Sequence, residues 1–154
     1  MTFLSKNILL IFFASMLSLF SANASYDIGS LNNLRINVFS ADETSQQNMQ
    51  FGIYDYAIEG NTLTLHNPYL KYQIGGNSSE LILIPFHASN DIASKLCRVM
   101  GFREGRALIN ELGPGNGESK FEHDEVYVSN QGFFQLKRIS SYKRNLIVSC
   151  TGLR

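Results

Sequence analysis

The chain has no tryptophan, only two cysteines and no surplus of either charge, with 13 basic and 13 acidic side chains. Each absence closes a class of function. Charge balance argues against a nucleic-acid partner, because such domains show a basic stripe or face. Without a Cys-x-x-Cys pair there is no thiol redox motif and no clustered cysteine site for zinc. No Gly-x-Ser-x-Gly, His-Glu-x-x-His or phosphate-binding glycine loop occurs; "GPGNG" (Gly113 to Gly117) lacks the Lys-Ser or Lys-Thr that such a loop needs. "SSYK" (Ser140 to Lys143) has the Ser-x-x-Lys spacing of penicillin-binding enzymes but none of the companion motifs. No internal repeat and no long linker divides the chain.

What the chain does have begins at its amino terminus. Lys6 precedes the apolar run "NILLIFFASMLSLF" (Asn7 to Phe20), and Ala22 and Ala24 follow in the small-x-small pattern of a signal-peptidase site. The run is 14 residues long, short of the roughly 20 that span a bilayer. Residues 1–24 are therefore expected to be a signal peptide, and 25–154 a single mature α+β domain in a bacterial periplasm or outside the cell. No membrane span is expected after cleavage. The sequon at Asn77 matters only in a host that glycosylates exported proteins.

Export gives the cysteines their meaning, since an oxidising compartment turns a lone pair into a disulfide. Ser89 and Asp91 resemble a helix start, and Gly101 its end. Over about 90–100, Ile92, Ala93, Leu96, Cys97 and Met100 share one helical face. Leu146, Val148 and Cys150 alternate onto one side of a last strand. A Cys97–Cys150 bridge would tie that helix to that strand. The remaining periodicity predicts a mostly antiparallel β-sheet with the helix packed on it. Its strands include "LRINVF" (Leu34 to Phe39), "FGIYDYAI" (Phe51 to Ile58) and "TLTLH" (Thr62 to His66), the last two joined by a hairpin at Glu59–Asn61. "SADETSQQNMQ" reads as a polar connection, and "RALINEL" as either a short strand or a helical turn. "ELILIPF" (Glu80 to Phe86) is apolar on both faces, as a central strand would be. "EVYVS" and "FFQLKRI" form a second hairpin, and "SSYKRN" turns into the last strand.

The string "LCRVMGF" (Leu96 to Phe102), with a terminal cysteine in "IVSC", resembles part of the scavenger receptor cysteine-rich domain at Cys97, Arg98, Gly101, Phe102 and Cys150. That family is richer in cysteine and tryptophan. The resemblance implies a binding module for proteins or polyanionic surfaces.

The residues themselves point the same way, toward binding without catalysis, with no cofactor and no metal. Residues 25–91 carry 2 basic and 7 acidic side chains, and residues 92–154 carry 10 and 6. Lys137, Arg138, Lys143 and Arg144 flank one turn and form the candidate ligand-binding patch, for a protein, glycan or anionic envelope component. Tyr54, Tyr56, Tyr69 and Tyr72 are expected to pack in the sheet rather than stack on a ligand. The alternatives are a small hydrolase using His123, Asp124 and Glu125 in "FEHDE", or an inhibitor or accessory protein presenting the Gly113 to Ser119 loop. His123 and Glu125 share a strand face, but nothing in the sequence brings His66 or His87 to them. An enzyme would need that convergence in a pocket.

Intact-mass measurement of exported protein should find Ser25, or a near neighbour, as the first residue; retention of Lys6 would overturn the expected localisation.

Overall fold

The computed structural model describes residues 26–74 and 80–154. The expected signal peptide, the "GGNSS" turn and Asn77 lie outside the described residues. The elements in chain order are β1 (Arg35–Phe39), β2 (Gln46–Gly52), β3 (Asp55–Glu59), β4 (Thr62–His66), β5 (Tyr69–Ile74), β6 (Glu80–Pro85), α1 (Asn90–Val99), β7 (Phe102–Glu111), β8 (Phe121–Val128), β9 (Phe134–Ser141) and β10 (Arg144–Leu153). A short 3-10 turn, Pro114–Asn116, lies in the loop between β7 and β8.

The fold is α+β, as expected, but the strands form two sheets instead of one antiparallel sheet. One has six strands in the order β6-β5-β2-β1-β9-β8, and the other four in the order β3-β4-β10-β7. The six-stranded sheet is mixed, because β1 runs parallel to β9. It also curls until its two edges touch: Phe86, just past β6, bridges Val126 of β8 in parallel sense. There the His87 N–H donates to the Val126 carbonyl at 2.9 Å. Twisted sheets of this width commonly curl.

Helix α1 is built as its sequence indicates. The Ser89 side chain accepts from the Ile92 N–H, Asp91 occupies the first turn and Arg98 the last, each favourable to the helix dipole. Ile92, Ala93, Leu96 and Cys97 are buried against β7 and β10. The approach is close enough that Gly105 of β7 has no room for a side chain: a Cβ there would collide with the Ala93 carbonyl and stand 2.6 Å from the Cys97 sulfur. Cys97 and Cys150 are bonded, with their Cα atoms 5.3 Å apart and a sequence separation of 53. Leu146 and Val148, on the same side of β10 as Cys150, are buried with it.

Three strands depart from expectation. β2 begins at Gln46 inside the supposed polar connection. Its inward positions are Met49 and Phe51, both buried, while its outward amides pair across the sheet, Asn48 Nδ2 donating to Asn37 Oδ1 at 2.7 Å. The run "FGIYDYAI" divides between sheets. Phe51 registers with Leu70 in one, and Tyr56 with Leu65 in the other. Gly52 closes β2, and a Cβ there would lie 2.8 Å from Cζ of Tyr69. β6 is an edge strand, not a central one, with Leu81 57% and Leu83 39% exposed. "RALINEL" belongs to β7, and "SSYKRN" carries the chain from one sheet to the other. Both sheets and the helix share one cluster of buried side chains.

Closing a loop of this length stabilises the fold by about 4 kcal/mol through restriction of the unfolded chain. Replacing Cys97 and Cys150 together by Ala should cost roughly 2–5 kcal/mol in urea unfolding while far-ultraviolet dichroism is retained at low temperature. A change near zero would remove the bridge from the stability of the fold.

Candidate functional site

The seam between β6 and β8 brings together what the sequence kept apart. His123 and Glu125 alternate onto one face of β8, and His87 arrives just beyond β6, fixed by its backbone bond to Val126. Glu125 is buried at 4% exposure. His87 Nδ1 lies 2.8 Å from Glu125 Oε2, and His123 Nε2 lies 2.9 Å from Glu125 Oε1. One carboxylate thus holds two imidazoles.

Acceptors fix the protons. Glu125 can only accept when ionised. The other nitrogen of His123, Nδ1, faces the Phe121 carbonyl at 3.2 Å, which also only accepts. Both ring nitrogens of His123 are thus turned to acceptors of the protein itself. His87 Nδ1 cannot both donate to Glu125 and accept from Arg144 Nη1, which stands 3.5 Å away. The shorter carboxylate contact takes the proton, and Arg144 remains beside it as a charge, also 3.5 Å from Glu111 through its Nε. Aromatic rings cover both histidines: Tyr127 stacks on His87 at 4.0 Å, and Phe121 on His123 at 4.3 Å.

Burial alone would push the Glu125 carboxyl up. The hydrogen bonds from His87 and His123, and then their charges, outweigh it and hold the group below its ordinary value. Burial, followed by the Glu125 charge, pushes the Tyr127 hydroxyl up, with Arg144 opposing.

In front of this cluster opens a cleft of about 480 Å³, within the usual range for small-molecule sites. His123, Glu125 and Phe121 form one wall, Leu83 and Pro85 another, and Tyr142, Lys143 and Arg144 a third, with Tyr54 and Tyr69 at one end. Asn67 locks the last wall in place. It adopts a left-handed backbone (φ 47°), tolerated by asparagine. Its N–H donates to the Leu146 carbonyl at 2.8 Å, and its Oδ1 accepts from the Leu146 N–H at 2.8 Å.

The four cations of the expected patch do not gather. Lys143 and Arg144 line the cleft. Lys137 lies 5.0 Å over the Tyr127 ring, and Arg138 faces the other side of the sheet, 3.4 Å from Asp124. Alternation along the paired strands β8 and β9 separates Lys137 from Arg138, and likewise Asp124 from His123 and Glu125. The tyrosines also divide: Tyr72 packs against the core, whereas Tyr54 is 68% and Tyr56 44% exposed. The sequence offers Arg144 only as part of the turn patch and His87 only as a histidine with nothing to place it; neither is joined to Glu125 there. The pattern "PFHAS" signals neither a ligand nor a seam, so His87 had no legible mark.

Among the described residues no group of three or more His, Cys, Asp or Glu side chains is arranged to hold a metal ion. Here the imidazole nitrogens are turned to the carboxylate itself, not to a shared point beside it. No helix among the described residues is long and apolar enough to cross a membrane. Compared with protein-family models, curated proteins and solved structures, the chain matches none.

Because the folded-state value of Glu125 is depressed, its contribution to stability is fully present above the ordinary value of 4.5 and drains away as pH falls through the lower folded value. Glu125→Gln should cost about 1–3 kcal/mol at neutral pH, as expected when charged hydrogen bonds are broken in a buried site. The gap in melting temperature between the two proteins should close on acidification below that value. A gap independent of pH would show that the carboxylate charge is not what the histidines hold.

Proposed function

We propose that the chain is an exported, non-enzymatic binding domain whose cleft takes an anionic ligand. The observation that carries this reading is the placement of Arg144 and Lys143 on one cleft with aromatic walls. Among the described residues lining the cleft Glu125 is the one acidic side chain, and it is already engaged by the two imidazoles, which leaves Lys143 and Arg144 facing an incoming anion. Tyr54, Tyr69, Phe121 and Tyr142 offer apolar area with polar tips or edges, a composition suited to recognition.

The hydrolase alternative required His123 to meet a second histidine and a carboxylate in a pocket, and that meeting occurs. Its orientation favours binding nonetheless. Both nitrogens of His123 are occupied, and His87 stands behind Glu125, outside the cleft lining. Asp124 faces away, toward Arg138. Among the described residues lining the cleft the one histidine is His123, and both its nitrogens are turned to protein acceptors, whereas general acid–base catalysis needs one within reach of the ligand. The histidine–carboxylate cluster instead holds a fixed charge in place. Export is supported by the leader-like amino terminus together with the disulfide, a bond that persists in oxidising compartments. The local resemblance to the scavenger receptor cysteine-rich domain is in keeping with a binding role.

Short oligomers of glutamate and of galacturonate serve as anionic probes in calorimetric titration. At least one should bind, and its affinity should fall steeply as salt rises from 0.1 to 1 M, where the Debye length shrinks from about 10 to about 3 Å. Lys143→Ala with Arg144→Gln should weaken binding by about tenfold or more, the worth of one to two charged hydrogen bonds, whereas Arg138→Ala should leave it unchanged. Binding indifferent to salt and to the Lys143 and Arg144 changes would overturn the proposal.

A further inference from the structure

The cleft is also the place where a sheet stops short of closing. β6 and β8 are the two edges of the six-stranded sheet, and among the described residues they meet only around Phe86 and Val126. The strand geometry shows which backbone groups remain open. Successive residues of a strand turn their N–H and C=O to alternate sides. The Val126 carbonyl faces β6, since it accepts from His87, so Asp124 and Glu122 face the same open side. On β6 the residues flanking the bridge, Pro85 and His87, turn toward β8; by the same alternation so do Leu83 and Leu81.

Among the described residues two runs of backbone without a ladder partner therefore border the cleft, and the β6 run is apolar where an exposed edge is ordinarily charged. Leu81 is 57%, Leu83 39% and Phe121 47% exposed. The sequence "ELILIPF" reads as a strand covered on both sides because its composition suits that state; in this fold one side lacks its neighbour.

Resting on the reading of the cleft as an anion site, we propose that its ligand is an extended peptide with acidic side chains, added as a strand in the gap between β6 and β8. Strand addition is a recurrent mode of peptide recognition, in which backbone pairing supplies affinity and alternate side chains supply specificity. The bridge between the edges is parallel, so a peptide running against one strand runs against both and forms antiparallel ladders on each side. Alternate residues of that peptide would face the cleft, where Lys143 and Arg144 favour carboxylates. The intervening residues would lie on the opposite face, beside Glu122 and Asp124, where acidic side chains are disfavoured. A saccharide or a small anion satisfies the cations but leaves the strand edges unmatched.

The test uses the acetylated, amidated peptide of alternating threonine and glutamate, Thr-Glu-Thr-Glu-Thr, its analogue N-methylated at both glutamates, and oligogalacturonate. The unmodified peptide should bind, slow amide exchange at Leu83 and Asp124, and lose about tenfold or more in affinity on N-methylation, the equivalent of one or more hydrogen bonds. Equal binding of the N-methylated analogue, or binding of oligogalacturonate but not of the peptide, would overturn strand addition while leaving the anion-binding cleft intact. Absence of binding by every probe, or binding unaffected by Lys143→Ala with Arg144→Gln, would overturn both. Sedimentation of the protein alone should show no self-association; a dimer that protects the Leu83 and Asp124 amides and excludes the peptide would assign the seam to a second copy and overturn the peptide proposal.

Discussion

A single backbone hydrogen bond, from His87 N–H to the Val126 carbonyl, marks the constraint on which the site depends. It holds the end of β6 against β8, the far edge of the same curled sheet. With that contact made, a histidine from one edge and a carboxylate from the other come within 2.8 Å. Without it, Glu125 would have only His123, its neighbour on the same strand. The cost of burying a carboxylate is offset when its oxygens accept well-placed hydrogen bonds, and the second donor comes from the seam. The seam and the buried charge therefore stabilise one another, and the cleft in front of them inherits its shape from both.

The other half of the molecule is fastened differently. Around α1 the contacts are apolar and covalent: a stripe of buried side chains, the disulfide to β10, and the bare backbone of Gly105 beneath the helix. This arrangement anchors β10 by its second half, while its first residues, Arg144 to Leu146, reach the cleft. Asn67 then fixes that reach through two bonds to Leu146. Arg144 is consequently presented from a strand held at both ends, and not from the tip of a loop. A cation so placed can act as a fixed charge at little cost in side-chain freedom. The sharp contrast between a fastened core and an incompletely closed seam also locates the open strand edges beside the anion-attracting wall.

Local signals in the sequence were faithful wherever one element needed only one neighbour. Ser89, the stripe from Ile92 to Met100 and the alternation of Leu146, Val148 and Cys150 depend on helix and strand periods, which short-range geometry dictates. They led to the helix, its partner strand and the disulfide. The hairpin between β3 and β4 and that between β8 and β9 were legible for the same reason, glycine-bearing turns between alternating runs. In contrast, "FGIYDYAI" keeps one period across two strands of different sheets, so its division left no trace. β2 was hidden because only Met49 and Phe51 face inward and the rest of the strand is polar.

The site shows the same boundary between local and long-range information. That His123 and Glu125 share a face follows from the two-residue repeat of a strand and was determined by the sequence alone, as was the nearness in sequence of Lys143 and Arg144. The sequence also determined that the two cysteines face the core. Whether β6 is central or an edge, which sheet each strand joins, and that His87 meets Glu125 were decided only by the tertiary structure. These outcomes depend on how far a sheet curls before its edges meet, a sum of small twists over six strands. No residue or short motif encodes such a sum, so it becomes readable only when every strand has taken its place.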